Sequence, residues 1–583
     1  MANHSIYPQL PGGCEGFFLE RLQPNCNYGD LMKHLLAPIL GLVLLACVAN
    51  AQDNFSIPVD NWSYDDISAL QTRGFLLDLS PGFKPYRRLE VANALINLEK
   101  KVDVSSLPAS TRWLLEKLDS EFSGEMGFVR AESQDKDTTF TGARFSEEAK
   151  LNLAKGNYSP FKYASDVKVR PFSRSEFGFS VGNHLTLYTD GTIDQTLNDD
   201  TLYTGSLKYG LRALHQQAYV EYSDKYVDAT FGRDYLSWGY GNNGKILVST
   251  TAGAFDLASL FVKTSVMKFN WFVAQLDQLP YFTPDTNDYS PYGPTPTAGL
   301  PDPLANRYFT GSRFEFDICN KVFLGAFEAA TFGGPDAPID LGIIDPLRVT
   351  YEIENNDHKD LNSFLGSDIS VFLPANLNLY SDLLLDDWQV DKKTKSDLKP
   401  NLYAFDVGIS AADILSRLGV EGTDANIQYR IVRNRVYNEY NWLSYEKLIL
   451  RNYPIADPYG DDYWNLDLRL SHWLSFDWKL GVEIMHLEHG SSNIWSFYDM
   501  PWLTDPNVTL QTGYNEPFPY GTVQVTNQFE ATALYQPHGY YYAEATAIYS
   551  WNHNYMYVPG QDKGAFSFVL TIYYNFVLRL PFE

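Results

Sequence analysis

The segment AFSFVLTIYYNFVLRLPFE, Ala565 to Glu583, alternates from end to end. Phe566, Phe568, Leu570, Ile572, Tyr574, Phe576, Leu578 and Leu580 are large and apolar. The residues between them, among them Ser567, Thr571, Asn575 and Arg579, form a mixed and partly polar set. A period of two over roughly sixteen residues predicts a β-strand about three times the length usual in soluble sheets. Such a strand must lay its apolar face against something equally long and apolar.

The same texture recurs upstream. In QVTNQFEATALYQ, Val525, Phe529, Ala531, Ala533 and Tyr535 share one parity, and Gln524, Thr526, Gln528, Glu530 and Thr532 hold the other. In YYYAEATAIYSWN, Tyr541, Ala543, Ala545, Ala547, Tyr549 and Trp551 alternate with Tyr542, Glu544, Thr546, Ile548, Ser550 and Asn552. In WNLDLRLS, Trp464, Leu466, Leu468 and Leu470 alternate with Asn465, Asp467, Arg469 and Ser471. A soluble sandwich also alternates, but its strands average about five to six residues. Here the runs are longer, and aromatics bracket the apolar face with small residues between. A tilted membrane strand needs about nine to eleven residues to cross, with aromatic girdles at both interfaces. The strand is long and its greasy face unbroken because lipid lies against it. Phe582 resembles the aromatic end signal of outer-membrane barrels.

Composition agrees. Aromatic residues make up 15 % of the chain, high for a soluble protein and common where girdles mark a membrane interface. Lys and Arg number 45 against 71 Asp and Glu, a net charge of −26. Nucleic acid is thereby excluded as a partner, because phosphate binding needs a basic surface.

The only long uniformly apolar stretch is MKHLLAPILGLVLLACVANAQ, Met32 to Gln52. Its basic start, short apolar core and Ala49-Asn50-Ala51 site predict a signal peptide over 32–51. Residues 1–31 then form an extension upstream of the true start. Leu44-Leu45-Ala46-Cys47 is a poor lipoprotein box, since a bulky Leu stands where a small residue is needed. Of Cys14, Cys26, Cys47 and Cys319, cleavage leaves only Cys319, so the mature chain forms no internal disulfide. A closed barrel supplies rigidity in another way.

From 52 to 125 the spacing is helical. In YDDISALQTRGFL an apolar stripe at Ile67, Leu70 and Phe75 follows Asp66, a candidate N-cap, and Gly74 is a candidate C-cap. YRRLEVANALINLEKKV and STRWLLEKLDSEF complete three short helices, a domain expected on the periplasmic side. Residues 126–583 read as the barrel, about eighteen strands at roughly 25 residues per strand and connection. The fold class expected is an all-β transmembrane barrel of antiparallel strands with a small N-terminal α-helical domain. LPYFTPDTNDYSPYGPTPTAGLPDP and RNYPIADPYGDDY are too polar to cross and read as surface loops. No internal repeat is evident.

Glu221, Arg313, Glu315, Asp317, Arg430, Asp467, Arg469, Glu483, Glu530 and Glu544 fall on the parity opposite the lipid face. Charges of both signs inside a barrel pair across the lumen or line a hydrophilic path. Other motifs carry less. GYGNNG, Gly239 to Gly244, matches G-x-G-x-x-G, but a strand pattern follows where a dinucleotide site needs a helix; a Gly/Asn turn is expected. Asp386-Asp387 would point to opposite faces of a strand and cannot flank one glycosidic bond. His486 and Glu488 share a face but lack further metal ligands. No segment singles out a nucleophilic serine, so neither an enzyme nor a metal or cofactor is expected.

Several segments together resemble the Wzi family of outer-membrane capsule-assembly proteins. They are YVEYSDKYVDATFGRDYLSWGYGNNGKILVSTTAGAFD (219–256), NRYFTGSRFEFDICNKVFLGAFEAATFGG (306–334), and IIDPLRV followed by NSFLGSDISVFLPANLNLYSDLLLDDWQVDKK. The N-terminal PVDNWSYDDISALQTRGFL also fits. The resemblance implies an eighteen-stranded barrel with a periplasmic helical bundle, in the outer membrane of a Gram-negative bacterium. It also implies lectin-like binding of capsular or extracellular polysaccharide that tethers the glycan without catalysis. Arg233, Trp238, Asp256, Arg307 and Asp386 match its motif positions and read as architecture.

The residues allow lectin chemistry independently. Glycans offer hydroxyls to carboxylates and amides, and apolar C–H faces to aromatic rings. Tyr281, Asp285 and Tyr289 in one loop, with Tyr453, Asp457, Tyr459 and Tyr463 in another, offer both. They are the expected glycan contacts of a monomer whose other partner is outer-membrane lipid. A porin for sugars or ions is the alternative.

Overall fold

The structure is a computed structural model that describes residues 54–132, 141–182, 184–242, 244–280 and 304–582. The expected extension and signal peptide lie outside the described residues, as do Tyr281, Asp285 and Tyr289.

Among the described residues, eighteen antiparallel strands close into one barrel. In chain order they are β1 (Thr141–Ser159), β2 (Lys162–Val181), β3 (Leu185–Asp194), β4 (Ala218–Ser223), β5 (Val227–Asp234), β6 (Phe255–Lys263), β7 (Met267–Pro280), β8 (Leu304–Ile318) and β9 (Val322–Pro335). Then follow β10 (Asn362–Leu373), β11 (Leu377–Asp387), β12 (Leu402–Ala411), β13 (Thr423–Val432), β14 (Tyr463–Trp473), β15 (Trp478–His489), β16 (Gln524–His538), β17 (Tyr541–His553) and β18 (Lys563–Phe582). Each strand pairs with the next, and β18 closes the ring on β1, with Arg579 opposite Arg144 and Ile572 opposite Leu151. Closure leaves no edge strand to be covered.

The alternation read from the sequence sets the two faces. On β18, Phe566, Ile572, Tyr574 and Phe576 are exposed, whereas Ser567 and Tyr573 are buried. Leu466 and Leu470 on β14, Phe529 on β16, and Tyr549 and Trp551 on β17 also face outward. Among the described helices none is long and apolar enough to cross a membrane; the strands do the crossing.

Four helices precede the barrel: α1 (Ser63–Thr72), α2 (Arg88–Lys101), α3 (Ala109–Glu121) and α4 (Ser123–Glu132). The sequence suggested three, ending at 125. The correction has a physical reason: Glu125 is fully buried against Arg88, with Nε to Oε1 at 2.6 Å, and Phe128 is buried too. This stretch is therefore held to the helical core rather than to lipid. Asp66, expected as an N-cap, instead lies in the first turn of α1 and is buried. The Asn61 side chain accepts from the Ser63 amide at 2.9 Å just before the helix. Gly74, at φ +84°, follows the last turn of α1 as expected for a left-handed stop.

The helices sit on the end of the barrel with the shorter turns. Arg73 donates to Asp413 at 2.9 Å and to Asp424 at 2.8 Å beside the β12–β13 turn. Lys117 lies 3.9 Å from the centre of the Trp473 ring at the β14–β15 turn. Short turns mark the periplasmic end of such barrels, the end on which these helices are expected; the long connections lie at the other, here called the outer end.

Candidate functional site

The lumen is filled from both ends. From the periplasmic side the chain at 54–60 and 80–88 runs inside the wall. Phe55 packs where Gly178 leaves space; a Cβ at Gly178 would collide with the Phe55 ring. From the outer side the β5–β6 connection folds inward and meets the first segment. Phe83 pairs with Trp238 and Lys84 with Ser237 in a short antiparallel ladder. Trp238 is buried and donates its indole N–H to Asn270 at 2.9 Å. Gly239 (φ +101°) and Gly244 (φ +105°) turn the chain within the lumen, and the Lys245 amine closes the turn on the Gly239 carbonyl at 2.6 Å. GYGNNG is thus a glycine turn of the plug.

A third inserted segment corrects the sequence reading. RNYPIADPYGDDY, expected as a surface loop, folds inward. Asp457 is fully buried on Arg430, which also donates to Asp406 at 2.8 Å. Tyr463 is fully buried at the start of β14, Tyr453 is half-buried, and Tyr459 is half-buried with its hydroxyl 3.2 Å from the Met485 sulfur. Unpaired guanidinium groups inside the wall would be costly, and this segment brings one of the carboxylates Arg430 requires. Asp457 is thereby committed to Arg430.

The residues matching family motifs have structural partners. Arg233 on β5 faces Asp256 on β6 across the ladder, and the two make a bidentate pair at 2.7 and 2.6 Å. Arg307 is buried and donates to backbone carbonyls, among them Tyr445 at 2.5 Å and Ile449 at 3.1 Å. It thereby pins the inserted segment to the wall. Asp386 accepts from the Tyr437 amide at 2.7 Å, while Asp387 pairs with Lys399 at 2.7 Å. His486 lies 3.5 Å from Glu488 and its other ring nitrogen bonds Asn527 at 2.8 Å. Among the described residues no group of ligating side chains could hold a metal ion.

Two surfaces remain that could engage a ligand. The first is the outer loop layer. Leu398, Tyr498, Met500, Trp502 and Val508 form a small core joining two connections, and Tyr440 and Trp442 pack against it from a third. Arg435 is buried at its centre, bonded to Asp499 at 2.6 Å and Glu516 at 2.5 Å, with the Trp502 ring 5.1 Å away. Tyr440 and Trp442 stack at 4.8 Å beside it, and Phe497 is exposed. Burial pushes the Asp462 carboxyl up to about 9 and the Lys447 amine down to about 8. The loops pack on one another around this core. Sequence reasoning missed this layer because its aromatics lie far apart and have no common period.

The second is a cavity of about 810 Å³ between the plug and the wall β14–β17, with the outer end of β1. It reaches from Pro160 and Thr250, both exposed at the outer end, down to Trp62 and Lys479 beneath the helical cap. Its volume falls in the range of small-ligand pockets, roughly 300–1,000 Å³.

The family profile of capsule assembly protein Wzi matches residues 173–565. The chain belongs to the Wzi capsule-assembly family. It is thus a β-barrel of the Gram-negative outer membrane. Among solved structures, Wzi of Escherichia coli, described as an outer-membrane protein involved in group 1 capsule assembly and a carbohydrate-binding β-barrel, aligns with a TM-score of 0.56 at 14 % identity. The alignment covers 90 % of this chain and 99 % of that one. OprD of Pseudomonas aeruginosa aligns with a TM-score of 0.38 at 9 % identity over 75 % of this chain and 94 % of its own. OccD3 of the same organism gives 0.38 and 9 %, over 75 % and 91 %. No curated protein matches the chain. For this Wzi-family barrel the fold and the membrane follow from the family, and the binding chemistry has to come from its own residues.

Proposed function

We propose that this protein binds capsular or extracellular polysaccharide at the outer end of the barrel and tethers it to the cell surface, without catalysis. The observation that carries the reading is the filled lumen. A barrel of this strand number would be wide enough for a water-filled pore, yet inserted segments from both ends occupy it and the outer loops pack over it. A scaffold so closed suits holding a ligand better than passing one. The half-buried rings at the loop layer and the amide-lined cavity are the surfaces sugars would meet.

A clean deletion tests this. Cells lacking the protein are expected to synthesise the glycan but release it into the medium. Normal cell-bound glycan in the deletion would overturn the reading. A porin is the second reading, favoured by the cavity along β14–β17, and conductance of the purified barrel separates the two.

A further inference from the structure

The cavity along β14–β17 divides into two chemistries. Towards the outer mouth its lining is uncharged: Asn465, Thr526, Gln528 and Asn552 from the wall, with the Tyr459 and Tyr557 rings. Asn465 is 1 % exposed, and its Oδ1 is buried without a partner among the described residues. Amides, hydroxyls and ring faces in a confined slot are the groups that recognise sugar hydroxyls and C–H faces. Deeper, the wall turns acidic. Asp467 and Arg469 on β14, Glu483 on β15, Glu530 on β16 and Glu544 on β17 form a belt.

This belt is not balanced within the protein. Arg469 is committed to Glu483 at 2.7 Å. Glu483 stands directly opposite Glu530 in the β15–β16 ladder, a like-charge pairing that costs stability. Glu530 has only a long contact from the Thr532 hydroxyl, 3.5 Å, and Glu544 has no hydrogen bond or ion pair among the described residues. The other cations of the lining are occupied: Lys245 on the Gly239 carbonyl, Lys84 over the Tyr64 ring at 4.9 Å, and Lys479 over the Trp473 ring at 5.4 Å. Seven carboxylates line the cavity against four cations, Lys84, Lys245, Arg469 and Lys479, so the field in the slot is negative. A low-dielectric cleft lined by one sign of charge concentrates the opposite charge and repels its own.

We infer that this cavity is a glycan subsite entered from the outer mouth, and that it accepts uncharged or amino-bearing sugar segments and rejects those carrying uronate or phosphate. The inference rests on the tethering function proposed above and assigns it a substrate class. The neutral upper half holds sugar rings by hydrogen bonds and stacking. The carboxylate belt sets the charge that the inserted segment carries.

The test uses the purified full chain in detergent at low salt, with labelled maltohexaose, chitosan oligosaccharide and oligogalacturonate as neutral, cationic and anionic probes. Two variants are compared with the parent, each checked for folding by heat-modifiable migration on a gel. Ser550→Trp fills the slot from β17, and Glu530→Gln/Glu544→Gln removes belt charge at constant shape. The neutral and amino probes should bind and the uronate should not. Ser550→Trp should weaken binding by about tenfold or more, since it removes the burial on which sugar affinity depends. The double Gln variant should weaken chitosan by about threefold, as expected of water-screened charges, and leave maltohexaose unchanged. Oligogalacturonate binding as well as the other probes, binding indifferent to Ser550→Trp, or no binding of any probe would each overturn the inference. Its failure is distinguishable from failure of the tethering function. Cells carrying Ser550→Trp that keep their glycan, while the deletion sheds it, would remove the subsite and leave the tether.

Discussion

One half of the barrel lumen is dry and the other is wet, although the same alternation builds both. Behind β8–β13 the plug presses on the wall, and the inward charges are sealed. Arg313 is fully buried with Asp368 at 2.7 Å and Glu315 at 3.1 Å, both also fully buried, and the Phe83 ring covers it at 4.3 Å. Arg430 is likewise enclosed by Asp406 and Asp457. Behind β14–β17 the equivalent positions face the cavity. There the Arg469 side chain is 46 % exposed and its partner Glu483 18 %. Identical residue types at identical parity thus do different work. In the dry half ion pairs fasten the plug to the wall; in the wet half charges set the potential of a space.

Breaking a sealed pair should have the largest effect. Arg313→Met leaves Asp368 and Glu315 buried without their cation, and should cost about 3–5 kcal/mol. Arg469→Met, in water, should cost no more than about 1 kcal/mol. Urea midpoints of barrel unfolding compare the two, and equal costs would erase the distinction between the halves. Next comes the outer face of the wall. Ile572→Arg puts a charge into hydrocarbon at a cost of about 2–4 kcal/mol. Thr571→Arg points inward beside Glu544, its register partner, and should be tolerated. Heat-modifiable migration reports which variant folds.

The floor of the wet half gives a smaller, pH-dependent effect. Burial raises the Asp66 carboxyl from 3.8 to about 6, against the pull of Lys479 and Lys117, and its Oδ2 has no partner among the described residues. The folded state therefore holds this proton more tightly than the unfolded chain. Its contribution is complete below the unfolded value and is lost as pH rises from about 4 through about 6. Asp66→Asn should remove that slope, on the order of 3 kcal/mol at most, in pH-dependent unfolding of the helical cap followed by tryptophan fluorescence. An unchanged slope would mean Asp66 is hydrated. The smallest effect is expected of Glu530→Gln. It should change stability by less than about 1 kcal/mol, towards stabilisation, because it relieves the facing Glu483.

The wall was legible because lipid enforces a strict period. From Phe566 to Leu580 a single misplaced charge would be expensive, so parity alone separates the two faces. The inward positions of Glu221, Arg313, Arg430 and Asp467 followed from the same rule. The plug was not legible. RNYPIADPYGDDY is polar and rich in proline and glycine, as a surface loop would be, and nothing local distinguishes Asp457 in water from Asp457 on Arg430. The available signal was indirect: guanidinium groups on inward positions demand carboxylates from somewhere. The fourth helix, through Glu132, hid for a related reason. Glu125 and Arg130 make EMGFVRAE look half polar, and only the Arg88–Glu125 pair shows why that stretch stays helical. The cavity was beyond the sequence entirely, since it is what the plug leaves empty.

On the function proposed, this barrel is filled to hold a ligand and not opened to conduct one. Single-channel recording of the purified full-length protein in planar bilayers tests it most directly. With the plug seated between Phe83 and Trp238 and the helical cap beneath the cavity, no large steady conductance is expected. Large, steady, open channels in the intact protein would contradict the claim and make the wet half a pore.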